Sequence, residues 1–446
     1  MSTPVSRVLV LGAGLAGLVA ANRLARLGAP AGVRVTLLTK GIGGLQLGQG
    51  TIDVLGYAPD RVTNPVLTLS ALASAKPGHP YATIGVGPVL AGVAYLADLL
   101  GPDLLVGDPE TNYQLPTAVG AIRPTCLASP SMVAGHVQDG QRLAIVGLRR
   151  LKDFHPKLIA ENLARTPLPD GGRLSARPVS VDVPARDGEV DSSGLTYARA
   201  FDDPNFRQRF ASTLKPFLTD GEVVGLPAVL GLKDRQAWRD VAERLGHPVF
   251  EIPLPPPNVP GMRLNEALTE AAVAAGVRIV NGARTVGVRV EDGVVKGVTV
   301  ATAGAAREYL GDAFVLATGG FEAGALALDS FGAVTETLFG LPLAGAEGPL
   351  IHGDYWGAEQ PLFKVGVRVA KDMRVVDGSG AVVHPNLFAA GGILAGSSRW
   401  RELSGDGIAL ASGLQAADSI LALSAFAPPM GTPSGQPGGS SPKEMS

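Results

Sequence analysis

An α/β fold of two interleaved domains is predicted by three features of this sequence. A G-x-G-x-x-G turn made by Gly12, Gly14 and Gly17 joins a short apolar strand to an apolar helix. A second run of helix, strand and β-meander occupies the region from Pro260 to Gly320. The length of 446 residues exceeds what one hydrophobic core usually organises. The division that follows is a first nucleotide-binding segment at 1–57, a substrate or cap domain at 58–260, a second nucleotide-binding segment with a small β-meander at 261–426, and a disordered tail at 427–446.

Each element is argued from its own pattern. Arg7 to Leu11 is a leucine and β-branched run, the following GLAGLVAANRLARLG carries apolar residues at helical spacing, and Val33 to Leu38 reads as a second buried strand. Together these make a βαβ unit of about 30 residues. Gly41 to Gly56 is a glycine-rich loop placed against the ligand. In the middle region, Arg142 to Gly147 and Val223 to Leu230 read as strands, each followed by a helix, through Phe154 to Leu163 and Arg235 to Leu245. Pro253, Pro255, Pro256, Pro257 and Pro260 cannot continue a helix and mark a return crossing between lobes. RLNEALTEAAVAAG is then a helix, and the alternating stretch after it turns at Asp292-Gly293. Ala313 to Ala317 is a strand entering Thr318-Gly319-Gly320, LFAAGG holds another, and a last helix begins near Gly405-Asp406-Gly407. The Pro, Gly and Ser tail is of low complexity.

Composition narrows the function. With 46% apolar and 17% charged residues and a net charge of −2, the chain is a well-buried globule without the basic field that nucleic acids require. Cys126, the single cysteine, excludes an internal disulfide and a self-contained zinc or iron–sulfur centre, so no metal site is expected. No signal peptide is recognised and no apolar stretch is long and uninterrupted enough to span a bilayer, which points to a cytoplasmic location with membrane contact only through a partner.

The glycines carry the chemistry. Gly12 permits a tight turn, Gly14 lets backbone amides approach a phosphate, Gly17 allows close helix–strand packing, and the helix N-terminus adds unpaired N–H groups. An acid at the end of the second strand, usual for adenosine ribose hydroxyls, is replaced by Thr39-Lys40. That departure favours FMN, with FAD as the alternative. Gly50 and Thr51 of the glycine-rich loop, Thr318 and Gly319 of the A-T-G-G turn, and Gly391-Gly392 are further candidates to contact the cofactor. Gly405, Asp406 and Gly407 open a helix whose positive end would face a flavin, or Asp406 is an N-cap. Both could hold. Family folds of the glutathione-reductase-like, Rossmann-like three-layer type commonly have Gly-Asp where this chain has Gly391-Gly392.

Longer motifs are more specific. G-T-I-D-V-L at Gly50 to Leu55, H-P-Y at His79 to Tyr81, I-R-P-T at Ile122 to Thr125, L-A-S-P at Leu127 to Pro130, P-G-M-R-L at Pro260 to Leu264 and H-G-D-Y at His352 to Tyr355 stand beside the glycine fingerprint. With these the chain, to about Leu423, resembles the B subunits of anaerobic glycerol-3-phosphate dehydrogenases. The resemblance implies an FMN enzyme that oxidises sn-glycerol 3-phosphate to dihydroxyacetone phosphate. It also implies a companion flavoprotein subunit and an iron–sulfur membrane-anchor subunit that pass electrons to a quinone. The chain departs from the family at Gly396 to Arg401 and in its tail.

Oxidising a secondary alcohol needs a base and cations for the substrate phosphate. His79 and His352 are the candidates for the proton, and Arg123, Arg263 and Arg399 for the anion, with hydrogen-bonded structural histidines and interdomain ion pairs as the alternative for each. Two other functions stay open: an electron-relay flavoprotein subunit that oxidises nothing itself, and a FAD-dependent dehydrogenase of a small carboxylate.

Overall fold

The computed structural model describes residues 5–168, 171–302, 304–354 and 357–425, so the tail at 427–446 and Tyr355 of the H-G-D-Y motif lie outside the described residues. Strand β1 (Arg7–Leu11), helix α1 (Leu15–Gly28) and strand β2 (Arg34–Thr39) form the expected βαβ unit. Val8, Leu9, Val10 and Leu11 are all buried, since the parallel sheet is covered on both faces, by helix α1 and by apolar residues that include Val295, Val298 and Val300 of the same core, and has no polar side to alternate with. The chain returns to this unit through α2 (Val259–Ala274), β3 (Arg278–Asn281), β4 (Ala313–Leu316), β5 (Leu387–Ala389) and α3 (Gly405–Ala425). The five strands make one parallel sheet in the order β3-β2-β1-β4-β5, with Val10 facing both Leu37 and Val315.

Helix α1 sits between the other two. Asn22 donates to Leu18 O and to Leu268 O of α2, at 2.9 and 3.1 Å. On its other side the backbones of α1 and α3 touch, because a Cβ on Gly413 would lie 2.5 Å from Ala16 O. Beyond the sheet, Arg284–Glu291, Val294–Thr302 and Ala305–Leu310 form the antiparallel meander. Its first turn places Asp292 and Gly293 at φ of 49° and 74°, the paired left-handed conformation that an Asp-Gly hairpin turn requires.

The middle of the chain builds a second parallel sheet with its own core. Val249–Ile252, Val223–Pro227, Arg142–Leu148 and Ser175–Val181 lie side by side in that order. The aromatic centre of this core is Phe201, edge-on to Phe206 and Phe210 with ring centroids 4.9 and 5.1 Å away.

Three details differ from the sequence expectation. The apolar cluster around β1 runs on past residue 57: Leu69, Val93, Leu96 and Leu127 belong to it, carried largely by helices Pro65–Ala75 and Val86–Leu100 that the sequence pattern did not reveal. Pro260 does not end an element but stands in the first turn of α2, where its missing N–H removes no intrahelical bond. Helix α3 is long and apolar enough over Gly405–Ser424 to cross a membrane, contrary to the reading that no stretch is. Most of it is buried, so its apolarity serves packing on α1 and on Val86–Leu100.

The packing of α1 on β1 is directly testable. A Cβ on Gly17 would overlap the Gly12 carbonyl oxygen, which is backbone and has nowhere to move. Gly17→Ala is expected to lower the stability of the flavin-free protein by about 2 kcal/mol, as overpacking does, read as a lowered melting temperature by circular dichroism. An unchanged melting curve would contradict this packing.

Candidate functional site

The glycine turn divides its three tasks as its chemistry suggests. Gly12 sits at φ 117°, and any side chain there would overlap Ala317 O on the neighbouring A-T-G-G turn. Gly17 admits the close helix–strand contact. Gly14, the N-cap of α1, has no side-chain cap, and nothing lies within 4 Å of where its Cβ would be. Free N–H groups and open space thus coincide at the positive end of a helix of 14 residues, the arrangement that receives a phosphate. Thr318, in the turn that touches Gly12, has a buried hydroxyl with no hydrogen-bond partner. These features fit a phosphate-bearing cofactor such as a flavin.

The other residues expected at the cofactor make the following contacts within the protein. Gly50, at φ 72°, packs on Pro260, whose Cβ would be 2.5 Å from a Cβ there. Gly391 lies between α1 and α3, its N–H donating to Ser412 Oγ at 2.9 Å. Gly407 makes room for the Tyr81 hydroxyl, which a side chain would overlap, and Gly319 closes its turn on Ala323. At the end of β2, the Thr39 hydroxyl donates to Gly41 O and Lys40 is exposed, so no carboxylate stands there. Thr51 is buried and lines a narrow cleft with Gln49, Arg123 and Glu251. Gly392 and Gly320 flank the guanidinium of Arg399, which pairs with Glu322 at 3.4 Å, and Gly405 packs against its Cβ.

The candidate histidines and Arg263 are fully engaged. His79 Nδ1 accepts from Tyr81 N–H at 3.2 Å, which makes Nε2 the protonated nitrogen and the donor to Glu402 Oε2 at 3.0 Å. His352 Nδ1 accepts from Gln360 Nε2 at 3.2 Å and its Nε2 faces Glu359 O at 3.3 Å. Arg263 binds Glu251 Oε2 at 2.7 Å and Gly231 O at 2.8 Å, locking α2 to the second sheet. Each of these three therefore has the character of a structural partner.

What the structure brings together instead is a polar knot at the mouth of α3. Asp53 forms an ion pair with Arg123, and its N–H donates to Asp406 Oδ2 at 3.2 Å. The Tyr81 hydroxyl, close by, donates to Val54 O at 2.5 Å. Burial, with the Asp53 charge added, pushes the Asp406 carboxyl up to about 7, only partly offset by the Asp53 N–H and by Arg123. Glu402 goes the other way: burial would raise it, but hydrogen bonds and charge from His79, and then from Lys76 at 3.0 Å, carry it down to about 2.

Residues 7–408 match the FAD-binding domain family. The chain belongs to that family. The B subunit of a probable anaerobic glycerol-3-phosphate dehydrogenase of Halobacterium salinarum is 34% identical over 92% of this chain and 96% of its own. The B subunit of the anaerobic glycerol-3-phosphate dehydrogenase of Pectobacterium carotovorum is 28% identical over 93% and 98%, and that of Aliivibrio fischeri 27% over 93% and 94%. Membership of this B-subunit family follows from these full-length matches, and with it the character of a flavin-dependent oxidoreductase subunit.

Asp53, Tyr81 and Glu402 were not among the residues singled out for chemistry. Asp53 and Tyr81 stand inside two of the family-like motifs, so the signal was there without a role; Glu402 directly follows the loop where the chain departs from the family.

The Glu402 pair yields a pH prediction. A carboxyl depressed from 4.5 to about 2 adds stability that is present above about pH 4.5 and lost as the pH falls toward 2. Glu402→Ala is expected to cost about 3 kcal/mol at pH 7, since it leaves His79 without its buried partner. Denaturant melts should show that gap closing between pH 4.5 and 2; a gap constant with pH would contradict the assignment.

Proposed function

We propose that this chain is the flavin-bearing B subunit of an anaerobic glycerol-3-phosphate dehydrogenase. It oxidises sn-glycerol 3-phosphate to dihydroxyacetone phosphate and passes electrons toward a quinone. A companion flavoprotein subunit and an iron–sulfur membrane-anchor subunit complete the path. The observation that carries the cofactor is the open space over Gly14 at the N-terminus of α1; the substrate and partners rest on the names of relatives that cover almost the whole chain.

A bound flavin supplies the hydride acceptor. The chain's part is to hold the phosphate on the amides after Gly14, to offer the unpartnered Thr318 hydroxyl, and to set charge beside the cofactor from the mouth of α3. FMN is the reading favoured by the end of β2, where the Thr39 hydroxyl turns to Gly41 O and no acid serves an adenosine ribose. The family's FAD-binding name supports FAD. Arg123 is the candidate for the substrate anion, because its Nε is buried without a partner and its side chain lines the cleft.

The relay reading also has an observation in its favour: both ring nitrogens of His79 and of His352 are occupied, which leaves neither of these imidazoles free for the alcohol proton. One assay separates the two readings. The chain with glycerol 3-phosphate and an artificial dye acceptor should reduce the dye, and a quinone analogue should be reduced only when the companion subunits are added. Dye reduction that needs the companion flavoprotein would make this chain the relay.

A further inference from the structure

Three distant parts of the chain bring charge to one buried spot. Asp53 comes from the glycine-rich loop, Arg123 from strand Ile122–Thr125, and Asp406 from the first turn of α3. Two backbone bonds hold them in register: Asp53 N–H donates to Asp406 Oδ2 at 3.2 Å, and Gly407 N–H donates to Asp53 O at 3.0 Å. Asp53 is only 3% exposed. One guanidinium thus faces two carboxyls, and the surplus negative charge in a buried place is most readily cancelled by a proton.

The neighbours cannot take that proton near neutral pH. The Tyr81 hydroxyl is pinned between Val54 O and Ser404 O, and burial, with the nearby carboxylates, drives its ionisation well above the usual range. Burial, then Asp53 and Asp108, push the Cys126 thiol up to about 12. Glu402 is already compensated by His79 and Lys76. The titration falls to the aspartates, and Arg123 connects them to the cleft lined by Thr51, Thr125 and Glu251.

We propose that the Asp53–Asp406 pair, held beside the Arg123 guanidinium, accepts the hydroxyl proton when the substrate alcohol is oxidised. This rests on the glycerol 3-phosphate reading above. The balance is complete: the carbinol C–H bond breaks with its electron pair going as hydride to the flavin, the oxidant. The O–H bond breaks, the C=O bond forms, and the proton lands on Asp406. Burial and the Asp53 charge bring that carboxyl to about 7, near where a base is both ionised and basic enough to work.

The test compares wild type with Asp406→Asn and Asp53→Asn, using the full chain for stability and the reconstituted complex for turnover. A carboxyl raised from 3.8 to about 7 gives stability that is full below about pH 4 and lost as the pH rises through 7. Wild type should therefore show a falling melting temperature over that window. Asp406→Asn should shrink the step, because burial also raises the Asp53 and Glu336 carboxyls and leaves them their share, and Asp53→Asn should move the Asp406 part to lower pH because the neighbouring carboxyl is gone. In the complex, kcat/KM for wild type should rise with pH through about 7, and Asp406→Asn should lose that limb and about 100-fold in rate. A pH step undiminished in Asp406→Asn, or a rate unchanged by that substitution, overturns the proposal. A wild-type complex inert toward glycerol 3-phosphate overturns the substrate assignment instead, and the two are told apart because the melting step needs no substrate.

Discussion

The rest of the structure depends on how closely three stretches of backbone approach one another at the end of β1. The Gly12 carbonyl oxygen lies where a Cβ on Gly17 would be, and the Ala317 carbonyl oxygen where one on Gly12 would be. No side chain larger than hydrogen fits either place. This contact sets the N-terminus of α1 at the crossing of β1 and the A-T-G-G turn, with open space where a side chain on Gly14 would stand. From there the fold grows outward: α2 and α3 flank α1, and the second sheet attaches through the Arg263–Glu251 bond.

A second layer of constraint surrounds the candidate site. Loops that bear function must be held by something other than regular hydrogen-bond ladders. Here the glycine-rich loop is tied by Gly50 on Pro260 and by Asp53 on Arg123 and Asp406, while Glu402 gathers Lys76 and His79 from the turn that follows helix Pro65–Ala75. Buried ion pairs of this sort add little net stability against an apolar replacement, but breaking one is costly. Their effect is to fix geometry and to set which carboxyl is ionised. Asp406 and Glu402, close together in sequence, are driven in opposite directions because one faces a carboxylate and the other the His79 ring N–H and the Lys76 ammonium.

Much of the fold was legible because its signals are local. The βαβ unit, the Asp292-Gly293 turn, strands Arg142–Leu148 and Val223–Pro227 and helix α2 follow from periodicity and turn residues within a few positions. Helices Pro65–Ala75 and Val86–Leu100 escaped notice because apolar residues spread around much of their circumference, and strand Ser175–Val181 because Arg177 and Pro178 interrupt its apolar pattern. The site was harder. Residue type alone suggested His79 as a base, whereas its partner Glu402 is 323 positions away and Asp53 meets Asp406 across 353. Such pairings are made by the fold and leave no spacing in the sequence. The open position at Gly14 depends only on its chain neighbours, whereas Gly391, Gly392 and Gly407 each make room for a side chain or helix from elsewhere, which no spacing in the sequence records.

The central claim is that the amides following Gly14 hold the phosphate of a flavin. The most direct measurement is a fluorescence titration of flavin-free protein with FMN and with FAD, for wild type and Gly14→Val, beside their melting curves. Because nothing lies within 4 Å of the added side chain's position, Gly14→Val should fold with an unchanged melting temperature. Wild type should bind one FMN per chain, more tightly than FAD, and the variant should bind neither. Stoichiometric binding of flavin by a well-folded Gly14→Val protein would contradict the account, and binding of FAD alone by wild type would contradict the reading of Thr39 and Lys40.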